Sequence, residues 1–222
     1  MLTDTKLLRL LQLSSVSLPV GGFAFSQGLE SSIELGWIRT KADTFDALSL
    51  QLVEGLGRVD LPLLQRAMDS YRSPDFIALN DWNDLALACR ETRELQLTDT
   101  AMGKALARLL RSLDIELPFS PAEPLSFVTA YAMAASHWHI DFDGAALGFS
   151  WAWLENQVAA ATKLVPLGQT DAQRLLGELQ LLIPEAIALA ATIENDDIGN
   201  SLAALAIASC YHETQYSRLF RS

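Results

Sequence analysis

No stretch of this chain alternates apolar and polar residues as a half-buried strand must, and no Asn-Gly hairpin turn interrupts it. Its apolar residues instead recur at helical spacing, broken by proline, glycine and capping residues. Near the start, Leu7, Leu8, Leu10 and Leu11 form one apolar stripe with Asp4 as a cap. Ser17-Leu18-Pro19-Val20-Gly21-Gly22 breaks that helix with a tight loop, because proline fixes one angle and paired glycines permit positive φ. A short helix from about Ser26 should end at Gly36, and Asp43 or Thr44 should cap the next, running towards Leu56. Asp60 with Pro62 and Ser73 with Pro74 mark two further starts, using proline where its missing N–H costs nothing.

Thr98 can cap the helix containing Leu106, Leu109, Leu110 and Leu113. Ser120-Pro121-Ala122-Glu123 has the form of a capping box, and Thr170-Asp171-Ala172-Gln173 repeats it ahead of a helix that Pro184 should kink. Ser201 can cap the last helix. The alanine-rich stretches 130–135, 159–161 and 186–191 suit close helix packing. The expectation is all-α: a single-domain bundle of about eight to ten helices over residues 1–222, with 212–222 as a C-terminal docking tail.

Charge limits the partners. Sixteen basic residues against 27 acidic give a net charge of −11, which repels phosphate backbones, so nucleic acid is not expected and a basic protein partner is favoured. The run from Leu179 to Ile193 carries Gln180, Pro184 and Glu185 and falls short of the roughly 20 apolar residues a membrane span needs. The opening MLTDTKLLRLLQL is interrupted by Asp4, Lys6, Arg9 and Gln12, so no secretory leader is expected. Two cysteines, Cys89 and Cys210, form no CxxC pair, which fits a reduced, cytoplasmic setting.

Motifs with catalytic connotations do not assemble. Gly103-Lys104 has Thr98 where a phosphate loop needs its first glycine and Ala105 where it needs a hydroxyl. Ala24-Phe25-Ser26-Gln27-Gly28 lacks the first glycine of a nucleophile elbow and has no strand before it, so Ser26 reads as a helix cap. His137 and His139, with Asp141 and Asp143, are the weak candidates for a metal site; the plainer reading is an exposed turn whose aspartates cap the next helix. Arg90 and Glu94 are spaced as a surface helix pair, Lys163 suits a helix C-terminus, and Glu30 suits a first helical turn. No cofactor is expected. With no nucleophile, base and orienter together, the chain does not read as an enzyme.

The segment 212–222, HETQYSRLFRS, stands out against this acidic body: Tyr216 and Phe220 lie beside Arg218 and Arg221. Tyrosine and arginine dominate the energetics of protein contacts, so the segment reads as a docking element, one expected to order on binding.

Four segments in order, SVSLPVGGFAFSQGLE, RETRELQLTDTAMGKALARLL, FSWAWLENQVAAATKLVPLGQTDAQRLL and HETQYSRLFRS, resemble the urease accessory protein UreF family from about Ser14 to Ser222. The resemblance implies an all-α, homodimeric, non-catalytic chaperone of nickel insertion. Such a protein binds UreD (UreH in some bacteria) and recruits the GTPase UreG to apo-urease. It points to a partner-binding set on the tail of Glu213, Tyr216, Arg218, Leu219, Phe220 and Arg221, with Ser26, Gln27 and Glu30 on the N-terminal loop and Lys163 facing the GTPase. Two other roles stay open: activation of UreG by a side chain such as Arg93 or Lys163 supplied in trans, and direct nickel carriage on the His137/His139 cluster.

Overall fold

A computed structural model describes residues 3–222; Met1 and Leu2, the start of the segment read as lacking a leader, lie outside it. Helices follow one another as α1 (Asp4–Leu13), α2 (Leu29–Glu34), α3 (Lys41–Leu50), α4 (Leu61–Arg72), α5 (Phe76–Ala88), α6 (Arg93–Ser112), α7 (Phe127–His137), α8 (Phe142–Leu164), α9 (Gln169–Leu179), α10 (Ile183–Ala190) and α11 (Ala203–Glu213). A π-helical stretch, Gln51–Asp60, joins α3 to α4 without a break, and a 3-10 turn, Gln180–Leu182, joins α9 to α10. The described residues therefore make nine helical rods and no strand, an all-α bundle as expected. No described helix is long and apolar enough to cross a membrane.

At the centre lies α7, buried continuously from Val128 to Ser136. A helix apolar all round has no solvent face, and its alanines let α4 and α6 approach closely. Two glycines set the distances. A Cβ on Gly103 of α6 would stand 2.0 Å from the Leu125 carbonyl oxygen, and one on Gly148 of α8 would stand 2.5 Å from Leu10 and 2.8 Å from the Tyr131 hydroxyl. Next to the main core, a smaller apolar cluster joins Leu29, Ile38, Ala160, Ala161, Val165 and Phe220.

Wide π turns displace carbonyl groups from their ordinary partners. Here the loop before α11 supplies replacements: Asn200 Nδ2 donates to the Glu54 carbonyl at 2.9 Å and the Gly199 N–H to that of Arg58 at 3.3 Å. The helix therefore does not stop at Leu56, and Asp60 with Pro62 marks a change of winding, not a fresh start.

Several caps lie elsewhere than the sequence suggested. Thr98 is mid-helix, and α6 starts six residues earlier behind Thr92, whose hydroxyl accepts the Leu95 N–H at 3.2 Å. Thr40 forms a capping box with Asp43, so Asp43 is the third residue of α3, not its cap. Asp75 caps α5, one residue past Pro74. Ser120 and Glu123 do bond locally, but Pro124 disfavours helical backbone at Glu123 and α7 waits until Phe127. Gly168 precedes α9, and Ser201 donates to Glu91 at 2.5 Å while Leu202 stands at the cap position of α11. Only Leu10 and Leu13 of α1 are buried; Leu7, Leu8 and Leu11 are exposed.

Candidate functional site

The N-terminal loop and the C-terminal segment form one surface. Gly21 adopts φ +76° and opens a 3-10 turn at Gly22–Ala24; Gly28, at φ +84°, closes the loop just before α2. A Cβ on Gly28 would come within 2.9 Å of Leu205, so the absence of a side chain lets α11 lie against the loop. From α11 the chain turns at Thr214 and runs back beside residues 24–30.

That return is held by polar groups at its length. The Arg221 N–H donates to the Ala24 carbonyl at 2.8 Å. The main-chain oxygen of Ser222 accepts the Gln27 N–H at 3.1 Å and the Ser26 hydroxyl at 2.9 Å, and the Ser222 hydroxyl meets that of Thr98. Glu30, 6% exposed, accepts the N–H of Leu219 at 2.7 Å and that of Phe220 at 2.9 Å. Its Oε2 also lies 3.1 Å from Nε2 of His212, a ring with no exposed surface. The other ring nitrogen, Nδ1, is 2.8 Å from Glu94, whose second oxygen accepts from Arg218 at 2.8 Å.

Aromatic packing completes the seat. Phe220 fills the small apolar cluster, with Lys163 Nζ 5.4 Å above its ring. The Arg221 guanidinium lies 6.0 Å from the Phe25 ring centroid. Gln27, at φ +51°, is fixed by indole and amide donors: Trp153 Nε1 at 2.8 Å and Gln157 Nε2 at 3.4 Å. Around this seat Tyr216, Leu219, Arg221, Glu213 and Lys163 face solvent, Tyr216 fully so. Arg93 is exposed too and pairs loosely with Glu213 at 3.7 Å.

All ten residues of the partner-binding set thus fall on or beneath one face, divided between two kinds of position. Ser26, Glu30 and Phe220 are buried and bonded within the chain. The segment 214–222 is seated on its own body and not splayed from it, which departs from the expectation that it orders only on binding. Its anchors His212, Glu94 and Thr98 carry no local signal: they are brought in from two helices, α11 and α6, and only the fold shows that they meet.

Arg90 and Glu94 do not pair with each other. Arg90 lies before α6, in the turn after α5, and reaches Asp60 at 2.6 Å and Asp99 at 3.5 Å, beside a cavity of about 160 Å³ also lined by Trp153 and Gln157. Burial opposes the charge on Arg90, but Asp60 and Asp99 outweigh it and hold the guanidinium above its usual range. Burial pushes the Asp99 carboxyl up, and Arg90 offsets that only in part. His137, the last residue of α7, and His139, on the turn before α8, stay exposed, and Asp141 caps α8 through the Gly144 N–H at 2.9 Å. Among the described residues, no three His, Cys, Asp or Glu side chains gather as metal ligands.

A family model described as UreF matches residues 38–180. The chain is 60% identical to the urease accessory protein UreF of Marinomonas sp. (strain MWYL1) over 220 residues, covering 99% of this chain and 96% of the relative. It is 48% identical to the protein of the same name from Hahella chejuensis, covering 97% and 98% of the two chains, and 48% identical to that from Chromohalobacter salexigens, covering 96% and 93%. On this full-length similarity, the chain belongs to the UreF family of urease accessory proteins.

Proposed function

We propose that this protein is a non-catalytic scaffold of urease maturation, which binds UreD (UreH) through the surface made by residues 214–222 and the Gly21–Glu30 loop. Through that complex it recruits the GTPase UreG to apo-urease for nickel insertion. One observation carries the reading: the exposed Tyr216, Leu219 and Arg221 are mounted on a segment whose main chain is bonded at four successive residues to the body of the protein. A main chain held in this way has little further freedom to lose on binding, and tyrosine and arginine are the side chains that dominate such contacts. Lys163 stands at the edge of the same face, which favours it as the contact to the GTPase over a role elsewhere.

The test is reconstitution. Co-purified UreD should elute with this chain in a stable complex, and apo-urease with UreD, UreG, nickel and GTP should gain activity only when the chain is added. Replacing Tyr216 and Arg221 together by alanine should weaken the complex while the isolated chain stays folded. Unchanged complex formation by that variant would show that the docking surface lies elsewhere. Sedimentation of the chain alone tests the homodimer that the family implies.

A further inference from the structure

We infer that His212 is a charged latch, an imidazolium whose loss of a proton releases residues 214–222 from the body of the protein. Both ring nitrogens face carboxylate oxygens, Nε2 facing Glu30 at 3.1 Å and Nδ1 facing Glu94 at 2.8 Å. A neutral imidazole has one N–H and one lone pair, so it can donate to only one of them. The other contact would then set a lone pair against a carboxylate inside the protein, where an unmet polar group is costly.

Charge closure gives the same answer. The groups facing the ring are Glu30 from α2, Glu94 from α6 and Arg218 from the returning segment; the nearby Thr92 and Ser209 hydroxyls bond to each other at 2.7 Å. The Arg93–Glu213 pair lies outside, on the surface. Two carboxylates and one guanidinium leave a buried excess of one negative charge, which a protonated His212 cancels. That proton belongs on the ring. Both oxygens of Glu30 accept main-chain N–H groups, and Arg218 holds the other oxygen of Glu94.

The latch matters because Glu30 also holds the segment: its oxygens receive the Leu219 and Phe220 N–H groups. When the ring proton leaves, the lone pair and the uncompensated carboxylates repel, and the cheapest relief is to let α11's end and residues 218–222 move away. A regulatory consequence, weaker partner binding once the ring is neutral, rests on the docking role proposed above; the latch itself is read on this chain alone, so each can fail separately.

The experiment is nitrogen NMR of the isolated chain, following the His212 ring together with hydrogen-exchange protection factors of the Leu219 and Phe220 amides from about pH 7 to about pH 10. Both ring nitrogens should show the protonated signature near neutrality. Their loss should coincide with a fall of about tenfold or more in those two protection factors, as for losing a charge-assisted hydrogen bond. A neutral tautomer near neutrality overturns the proposal, as does deprotonation that leaves both amides protected. His212→Gln should lower protection already at neutral pH and remove the pH response. If that variant does not fold, Glu30→Gln serves: with one carboxylate neutralised the ring no longer needs its second proton, and a ring still doubly protonated in Glu30→Gln would also overturn the latch.

Discussion

The Ser26 hydroxyl donates to the main-chain oxygen of Ser222 at 2.9 Å across a separation of 196 residues. The same oxygen receives the main-chain N–H groups of Ser26 and Gln27. Ser26→Ala therefore removes one donor of three from that oxygen, and also the acceptor of the Glu30 N–H at 3.4 Å. Its expected cost is about 0.5–1.5 kcal/mol, measured by denaturant unfolding. A loss well above that range would mean that the hydroxyl does more than close this contact.

Tyr216 and Phe220 separate binding from folding. Tyr216 is fully exposed, so Tyr216→Ala should leave stability within about 0.5 kcal/mol and, if the face binds UreD, weaken that complex by about 1–3 kcal/mol. Phe220 is buried in the small apolar cluster, so Phe220→Ala should cost about 3–5 kcal/mol of stability before any partner is added. Calorimetric titration with UreD beside thermal unfolding of each variant distinguishes the two effects.

Arg90 holds Asp60 and Asp99 together, and removing it strands two buried carboxylates. Arg90→Leu should cost about 3–5 kcal/mol near neutrality. Asp99 is already pushed upward by burial, and without Arg90 the push grows. A carboxyl raised in the folded state contributes stability below its ordinary range that is lost as pH rises through the raised value. The Arg90→Leu deficit should therefore shrink towards acid pH, and urea unfolding at several pH values checks it.

Two helix glycines should respond in opposite directions to alanine. At Gly103 the new Cβ meets the Leu125 carbonyl, a main-chain atom that cannot rotate aside, so Gly103→Ala should cost about 3 kcal/mol or more. At Gly177 of α9 a Cβ meets nothing within 4 Å, so Gly177→Ala should stabilise by up to about 1 kcal/mol. Thermal unfolding of the pair reads both.

Helix identity was readable from the sequence because it follows from local spacing: the apolar period, Gly36 behind α2 and Asp141 before α8 each act within a turn of where they stand. Caps were harder where two hydroxyls competed. Thr92 and Thr98 are equally suitable by type, and only the fold separates them: Thr92 accepts the Leu95 N–H while the Thr98 hydroxyl meets that of Ser222. The α1 stripe was misjudged because spacing shows which leucines share a side but not how much of that side another helix covers. At the candidate site, the resemblance points to residues but not to their division into buried anchors and exposed side chains. Glu30 looked like an ordinary first-turn carboxylate, and its partners lie more than 180 residues away in the chain. No local pattern carries that information.

The pairing of Glu30 with His212 also sets a schedule for synthesis. At roughly 5–20 residues per second, the 182 residues between them take on the order of 10–40 s to make. Until then Glu30 and Glu94 have no His212 or Arg218 to meet, and the apolar seat of Phe220 stays open. A nascent chain can bury α7 and assemble much of its main core well before it can display Tyr216 and Arg221 in place. Presentation of that face therefore follows burial of α7, and a chain truncated before residue 212 lacks the groups that hold it in place.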